Sequence, residues 1–167
     1  DELRDLEKVL EISLIEQLCL RLPDLVGSPL SINSLREDLH VSHNTVARWL
    51  EILERFYYIF RLAPFGPPRI RAVKKEAKHY HFDWTLVTDG GARFENMVAC
   101  HLLKWCHFLE DTEGRDMELR YFRDVDLHEV DFIVMENTKP ILFCECKRKE
   151  HEIGKGLQYL HERLPHV

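Results

Sequence analysis

The sequence predicts an α+β protein built in two parts, helices first and a strand section afterwards. Three observations carry this. Leucines recur at helical spacing through the opening residues, and two short amphipathic segments separated by a tight turn come next. From Met117 onward the pattern changes to runs of β-branched and aromatic residues divided by turn residues.

The first helix follows Leu3, Leu6, Leu10, Leu14, Leu18 and Leu22, and "LPDLVGSP" ends it with proline and glycine. Ile32, Leu35 and Leu39 line a second helix. His40 to Ser42 make a turn, and Ser42 is placed to cap a third helix with Val46, Trp49, Leu50 and Leu53 facing inward. Tyr57 to Leu62, Ile70 to Val73 and His79 to Phe82 are β-prone. A helix-turn-helix followed by a small hairpin describes a winged helix over residues 1–82.

Residues 83–92 read as a connector, with Asp89, Gly90 and Gly91 as turn residues. A helix is expected from Arg93 to about His107, with Phe94, Val98, His101 and Trp105 on its stripe, and "EDTEGRD" as its break. Met117 to Val125, Glu129 to Met135 and Pro140 to Lys147 then predict an antiparallel meander, and Ile153 to Leu164 a closing helix. Residues 93–167 form the second domain.

Charge and composition narrow the function classes. The net charge of −6 argues against a protein that coats nucleic acid nonspecifically. The exception is a basic strip, Arg69, Arg71, Lys74, Lys75 and Lys78, which with Lys147, Arg148 and Lys149 is the phosphate-facing candidate. On the third helix, Asn44, Thr45 and Arg48 are the positions that would meet a DNA groove. Glu51 and Glu54 dilute the charge there, so a winged helix used for protein contacts fits as well. Five cysteines without paired metal spacing point to reduced thiols, and no apolar run nears the roughly 20 residues of a membrane helix. The expectation is a cytoplasmic protein with no membrane contact. His79 and His81 read as surface or half-buried.

The strand section contains the chemical anomaly. Asp131, Glu145 and Lys147 interrupt its most β-prone segment. A three-residue loop of Asn137 to Lys139 would set Asp131 opposite Glu145 on one face, whereas a two-residue loop would set it opposite Cys144 and dissolve the pair. Two carboxylates so placed repel unless a cation joins them, and Mg²⁺ or Mn²⁺ held by oxygen ligands supplies one. Lys147 would then stabilise charge developing on phosphorus, and Glu95 on the preceding helix would add a ligand or orient water. Edge-strand charges that block aggregation are the competing explanation.

These residues resemble a known pattern. Glu95, Asp131 and the "ECK" of Glu145 to Lys147 resemble the PD-(D/E)XK nuclease superfamily, with Val130 where a proline is common. The blocks "VGSPLSINSLREDLHVSHNTVARWLEIL", "GARFENMVACHLLKW", "ELRYFRD" and "EVDFIV" resemble the domain of unknown function 4143 that follows the ATPase module of prokaryotic AAA-type ATPases. The resemblance implies a winged helix and a partial restriction-endonuclease-like helix-meander-helix core, truncated near its C-terminus. It assigns catalysis to Glu95, Asp131, Glu145 and Lys147, with Glu95, Asp131 and Glu145 as metal ligands. The implied partners are an AAA ATPase module of the same parent chain, DNA, or another protein. No "GxxxxGK" followed by Ser or Thr occurs here, so ATP would belong to that other module. Gln158 falls where related nucleases place a glutamine; a solvated helix position explains it equally.

Overall fold

The computed structural model describes residues 2–66, 76–149 and 152–167, and side chains from residue 9 onward within them. The fold is mixed α+β, with five α-helices and two small antiparallel sheets among the described residues.

Helix α1 spans Glu2–Arg21 and runs into a 3-10 turn, Leu22–Leu25. Toward its C-terminal end the chain meets the core, with Leu18 and Leu22 buried, while Leu10 is 58% exposed. Helices α2 (Ile32–Leu39) and α3 (His43–Arg55) form where the spacing put them. Ser31 and Ser42 cap them by accepting the N–H groups of Ser34 and Thr45, and His40 makes the turn in the left-handed region at φ 54°. Val46, Trp49, Leu50 and Leu53 all point inward and pack with Leu35, Leu39 and Ile59.

Strands β1 (Ile59–Leu62) and β2 (Lys78–His81) pair antiparallel. The outer edge of β2 is covered by chain from elsewhere. Pro29 bridges to Lys78, and Leu30 donates its N–H to the Ala77 carbonyl. The expected strand from Ile70 to Val73, and with it Arg69, Arg71, Lys74 and Lys75, lies outside the described residues.

Helix α4 runs from Gly90 to Glu113, longer at both ends than expected. Asp89 is its cap rather than a turn residue, accepting the N–H groups of Gly91 and Ala92. Beyond His107 no Gly or Pro interrupts Phe108 to Glu113, so termination waits for Gly114 at φ 63°. The buried stripe is also rotated from the expected one. Asn96, Ala99, Cys106 and Leu109 face inward, His101 is exposed and Trp105 is 38% exposed. The helix packs on a sheet whose neighbours choose its inner face, and aromatic content does not.

The second sheet orders β3 (Met117–Arg123), β4 (Glu129–Glu136) and β5 (Lys139–Cys144). One face packs on α4 and the β1–β2 pair, the other on α5 (Lys155–Arg163). The first cluster takes Phe60, Leu62 and Tyr80 from the N-terminal half and Phe132 and Val134 from β4, so the two halves share a core. The Ala63–Phe65 segment adds to the free edge of β3: Phe65 donates to the Tyr121 carbonyl at 2.6 Å, and Tyr121 to Ala63 at 3.3 Å.

Two irregularities set the register. The β4–β5 turn holds two residues, Asn137 and Thr138, both with positive φ as a primed hairpin turn requires. By itself that turn would have set Asp131 against Cys144. A bulge at Ile141 moves the pairing by one residue, so that Phe132 pairs with Cys144 and the next step brings Asp131 to Glu145. The three-residue loop was wrong and the pairing it stood for is restored by other means. β5 also ends at Cys144, leaving Glu145 and Lys147 just beyond the strand.

Candidate acidic site

The second bulge lies at Asp131 itself. Arg120 pairs with Ile133 and Phe122 with Val130, so Tyr121 alone faces Asp131 and Phe132. The shift reverses the alternation beyond it. Val130 joins Ile133 in the cluster under α5, and Glu129 consequently turns toward α4 and β2.

Four carboxylates gather there. Glu129 Oε1 lies 2.7 Å from Lys78 Nζ. Glu95 Oε1 accepts a 2.7 Å hydrogen bond from the Tyr80 hydroxyl and stands 3.5 Å from the same ammonium. Asp131 Oδ2 accepts the Cys146 N–H at 2.7 Å. Glu145 Oε1 lies 2.6 Å from Lys147 Nζ, and its Oε2 accepts the Gly154 N–H at 3.1 Å. Gly154 caps α5, a helix without a side-chain cap, so the carboxylate meets the positive end of its dipole.

Three glycines make this crowding possible. Gly27, at φ 82°, lies against Glu95, where a Cβ would come within 3.2 Å of Oε2. A Cβ on Gly154 would overlap the Glu145 carboxylate, and one on Gly156 the Glu129 backbone.

Electrostatics connect the groups. Burial raises the Asp131 carboxyl above its ordinary value; the Cys146 N–H and Lys78 oppose this, while Glu129 and Glu145 reinforce it. Glu95 is raised by burial, against which Lys78 works and with which Asp131 acts. Lys78 is raised too, its two glutamates outweighing a strong burial penalty. Both partners of the Lys78–Glu95 pair thus move upward. The ammonium is charged, and Glu95 is the less favoured of its two carboxylates because Glu129 lies closer. Lys147 is raised chiefly by its hydrogen bond to Glu145, with Asp131 contributing.

The sequence-derived candidates among the described residues each have a definite place. Glu95, Asp131, Glu145 and Lys147 come together around Asp131. As oxygen donors the three carboxylates suit Mg²⁺ or Mn²⁺, and Asp131 Oδ1 and Glu95 Oε2 accept no hydrogen bond among the described residues. They do not close into a trio within 4.8 Å. Among the described residues the group that does is Asp124, Asp126 and His128, in the β3–β4 turn. Its spacing can hold a metal ion, but both Asp124 oxygens are already used. Oδ1 accepts the N–H groups of Asp126 and His128, and Oδ2 lies 2.9 Å from His128 Nδ1.

The nucleic-acid candidates are scattered. Asn44 is exposed on α3, Thr45 spends its hydroxyl on Ser42 at 2.8 Å, and Arg48 pairs with Glu11. Arg148 packs against Gly90 at the start of α4, and Lys149 is exposed. Gln158 is exposed, and its side chain donates to the Ile153 carbonyl. Lys78 does not belong to a surface strip, being fully buried.

Tyr80 and Glu129 were missed by sequence reasoning, and Lys78 was placed in a surface strip rather than in this buried cluster. The signal was present in "KHYH", a strand-length run with no aliphatic residue, which is what a strand satisfying buried partners would contain. The two histidines, expected near the surface, are buried as well.

Two family models match. The one described as domain of unknown function DUF8612 covers residues 1–89, and the one described as domain of unknown function DUF4143 covers residues 90–166. No curated protein and no solved structure matches the chain.

Proposed function

The chain belongs to the family of domain of unknown function DUF8612, joined to a DUF4143 segment, and from that premise we propose a divalent-metal-dependent DNA nuclease module working with an AAA-type ATPase. The observation that carries the reading is Asp131. It sits on a β-bulge, and Glu95, Glu145 and Lys147 all act on or are acted on by its charge. The meander between α4 and α5 supports a PD-(D/E)XK-like core. The order helix, Pro29 bridge, helix, helix, hairpin supports a winged helix before it.

Asp131, Glu95 and Glu145 would hold Mg²⁺ or Mn²⁺, which supplies Lewis acidity toward a phosphodiester. Asp131 is fixed for this by the Cys146 N–H, and Glu145 by the α5 N-terminus. Lys147, 45% exposed, is free to turn from Glu145 toward a substrate phosphate and stabilise the charge gathering there. ATP would be handled by the ATPase module alone.

Incubation with Mg²⁺ or Mn²⁺ and single-stranded, duplex and branched DNA tests the proposal. Wild type cleaves at least one, and Asp131→Ala and Lys147→Ala each lose about a hundredfold or more. Cleavage unchanged in both variants overturns it.

A second reading, a winged-helix and nuclease-like module that docks a protein without cutting, is favoured by one specific feature. Arg48 on α3 is paired with Glu11, and Arg61 on β1 with Glu54 at 2.6 Å, so these two cations are already neutralised. Fluorescence anisotropy with duplex DNA separates the two. Direct α3 contact makes Arg48→Ala weaken binding by about tenfold, while the docking reading leaves affinity as weak as it was.

A further inference from the structure

Lys78 stands in an unusual place for a lysine. It is fully buried, lies on β2 in the N-terminal segment, and reaches across to carboxylates of α4 and β4 in the C-terminal one. Its neighbour Tyr80 binds the same Glu95, and Gly27 from the same segment provides the wall behind that carboxylate. The acidic site is therefore composite. Its carboxylates come from residues 90–166, and one of its cations comes from residues 1–89.

The charges show what that cation does. Glu95, Glu129, Asp131 and Glu145 are faced by Lys78, Lys147 and Arg123, the last 3.7 Å from Glu129. Lys147 and Arg123 are partly exposed and can turn away, whereas Lys78 is enclosed and cannot. We propose that Lys78 is a positioning residue of the acidic site, a permanent internal cation lent by the N-terminal segment, which orients Glu95 and Glu129 and occupies charge that a second metal ion would otherwise neutralise. This rests on the metal-dependent reading above and specifies it: one divalent ion, held on the Asp131 side of the cluster.

A fixed ammonium repels a divalent ion bound a few ångströms away, so removing its charge strengthens cation binding. A lysine whose ammonium served only to order Glu95 and Glu129 predicts the reverse, because its loss would leave those carboxylates without a fixed partner. Calorimetric titration with Mn²⁺ at pH 8, with folding checked by NMR, reads the difference. Wild type takes up one ion. Lys78→Met binds Mn²⁺ roughly tenfold more tightly or takes a second ion, and Lys78→Arg stays within about threefold of wild type. Lys78→Met leaves two carboxylates facing an apolar chain, so the comparison is repeated in a Glu129→Gln background, where ammonium and nearest carboxylate leave together. Removing Lys78 again strengthens binding.

Equal or weaker binding on loss of Lys78, in a protein that binds Mn²⁺ as wild type, overturns the role given to Lys78 and leaves the metal site standing. Binding by Lys78→Met where wild type shows none supports Lys78 as the internal cation and removes the metal-dependent reading of the natural protein. No binding by either overturns both.

Discussion

β2 and β4 are both buried strands, and they solve burial in opposite ways. β4 is apolar from Phe132 to Met135 and keeps its charges outside that run, Glu129 and Asp131 at the end where a bulge breaks the β3–β4 ladder and Glu136 at the other. β2 carries Lys78, His79, Tyr80 and His81, all inaccessible to solvent. An apolar strand is held by area, and its neighbours are interchangeable within limits. A polar buried strand is held by named partners, and losing one leaves an unsatisfied group in a medium that cannot solvate it.

The partners of β2 are specific. Lys78 has two glutamates, His79 lies 2.8 Å from the Leu22 carbonyl, and Tyr80 has Glu95. His81 is met through its backbone. Asn96 accepts its N–H at 2.9 Å and donates to its carbonyl at 2.7 Å, an amide side chain standing in for the missing neighbouring strand. This gives one way to break the comparison. Asn96→Ala orphans the His81 N–H and leaves its carbonyl only the weak Cys100 thiol at 3.2 Å, and should cost about 1–3 kcal/mol by urea unfolding. A cost below about 1 kcal/mol would mean that water replaces the amide and β2 is not sealed.

The pH response is of similar size. Burial drives the His79 pKa down to about 4, with nearby His81 and Arg61 adding to the effect and the Leu22 carbonyl opposing it. The unfolded chain binds a proton near 6.5 that the folded chain refuses until about 4. The stability from neutral His79 is thus complete above 6.5 and lost as pH falls from there to 4, amounting to about 3 kcal/mol. His79→Gln should flatten that part of the stability-pH curve. If the slope survives unchanged, His79 is not its source.

The same contrast explains what the sequence made legible. α2, α3 and the meander were readable because apolar spacing directly reports a buried face, as Val46, Trp49, Leu50 and Leu53 do. Asp131, Glu145 and Lys147 stood out as charges in places an apolar pattern forbids, whereas Glu95 entered through the preceding helix and the family resemblance. β2 was readable as a strand over His79 to Phe82 but not as a buried one, because a polar run reads as surface unless its partners are known, and Glu95, Glu129 and Asn96 are distant in sequence. Register was legible only in outcome. The two-residue turn and the bulge at Ile141 cancel, and nothing local announces either. The rotated face of α4 was missed for a related reason: Asn96, a polar residue, lies on the buried stripe.

The smallest effect sharpens the comparison at β4. His79 contributes stability by remaining neutral, while the surroundings of Asp131 work against its charged form. Burial, Glu129 and Glu145 all disfavour that charge, and its raised pKa means the folded chain prefers the protonated form. A raised carboxyl contributes stability below its unfolded value and loses it as pH rises through the folded one, the opposite slope to His79. Asp131→Asn keeps an oxygen to accept the Cys146 N–H and removes the charge. It should therefore stabilise the protein at pH 7.5, by about 0.5–2 kcal/mol, while abolishing whatever chemistry the cluster performs. The gain should shrink as pH falls toward 4, where the natural carboxyl is increasingly protonated. Thermal melts at both pH values check this. A variant that loses stability at pH 7.5 would show that Asp131 is held favourably by Lys78 and the strand, and that the bulge serves the fold rather than a site.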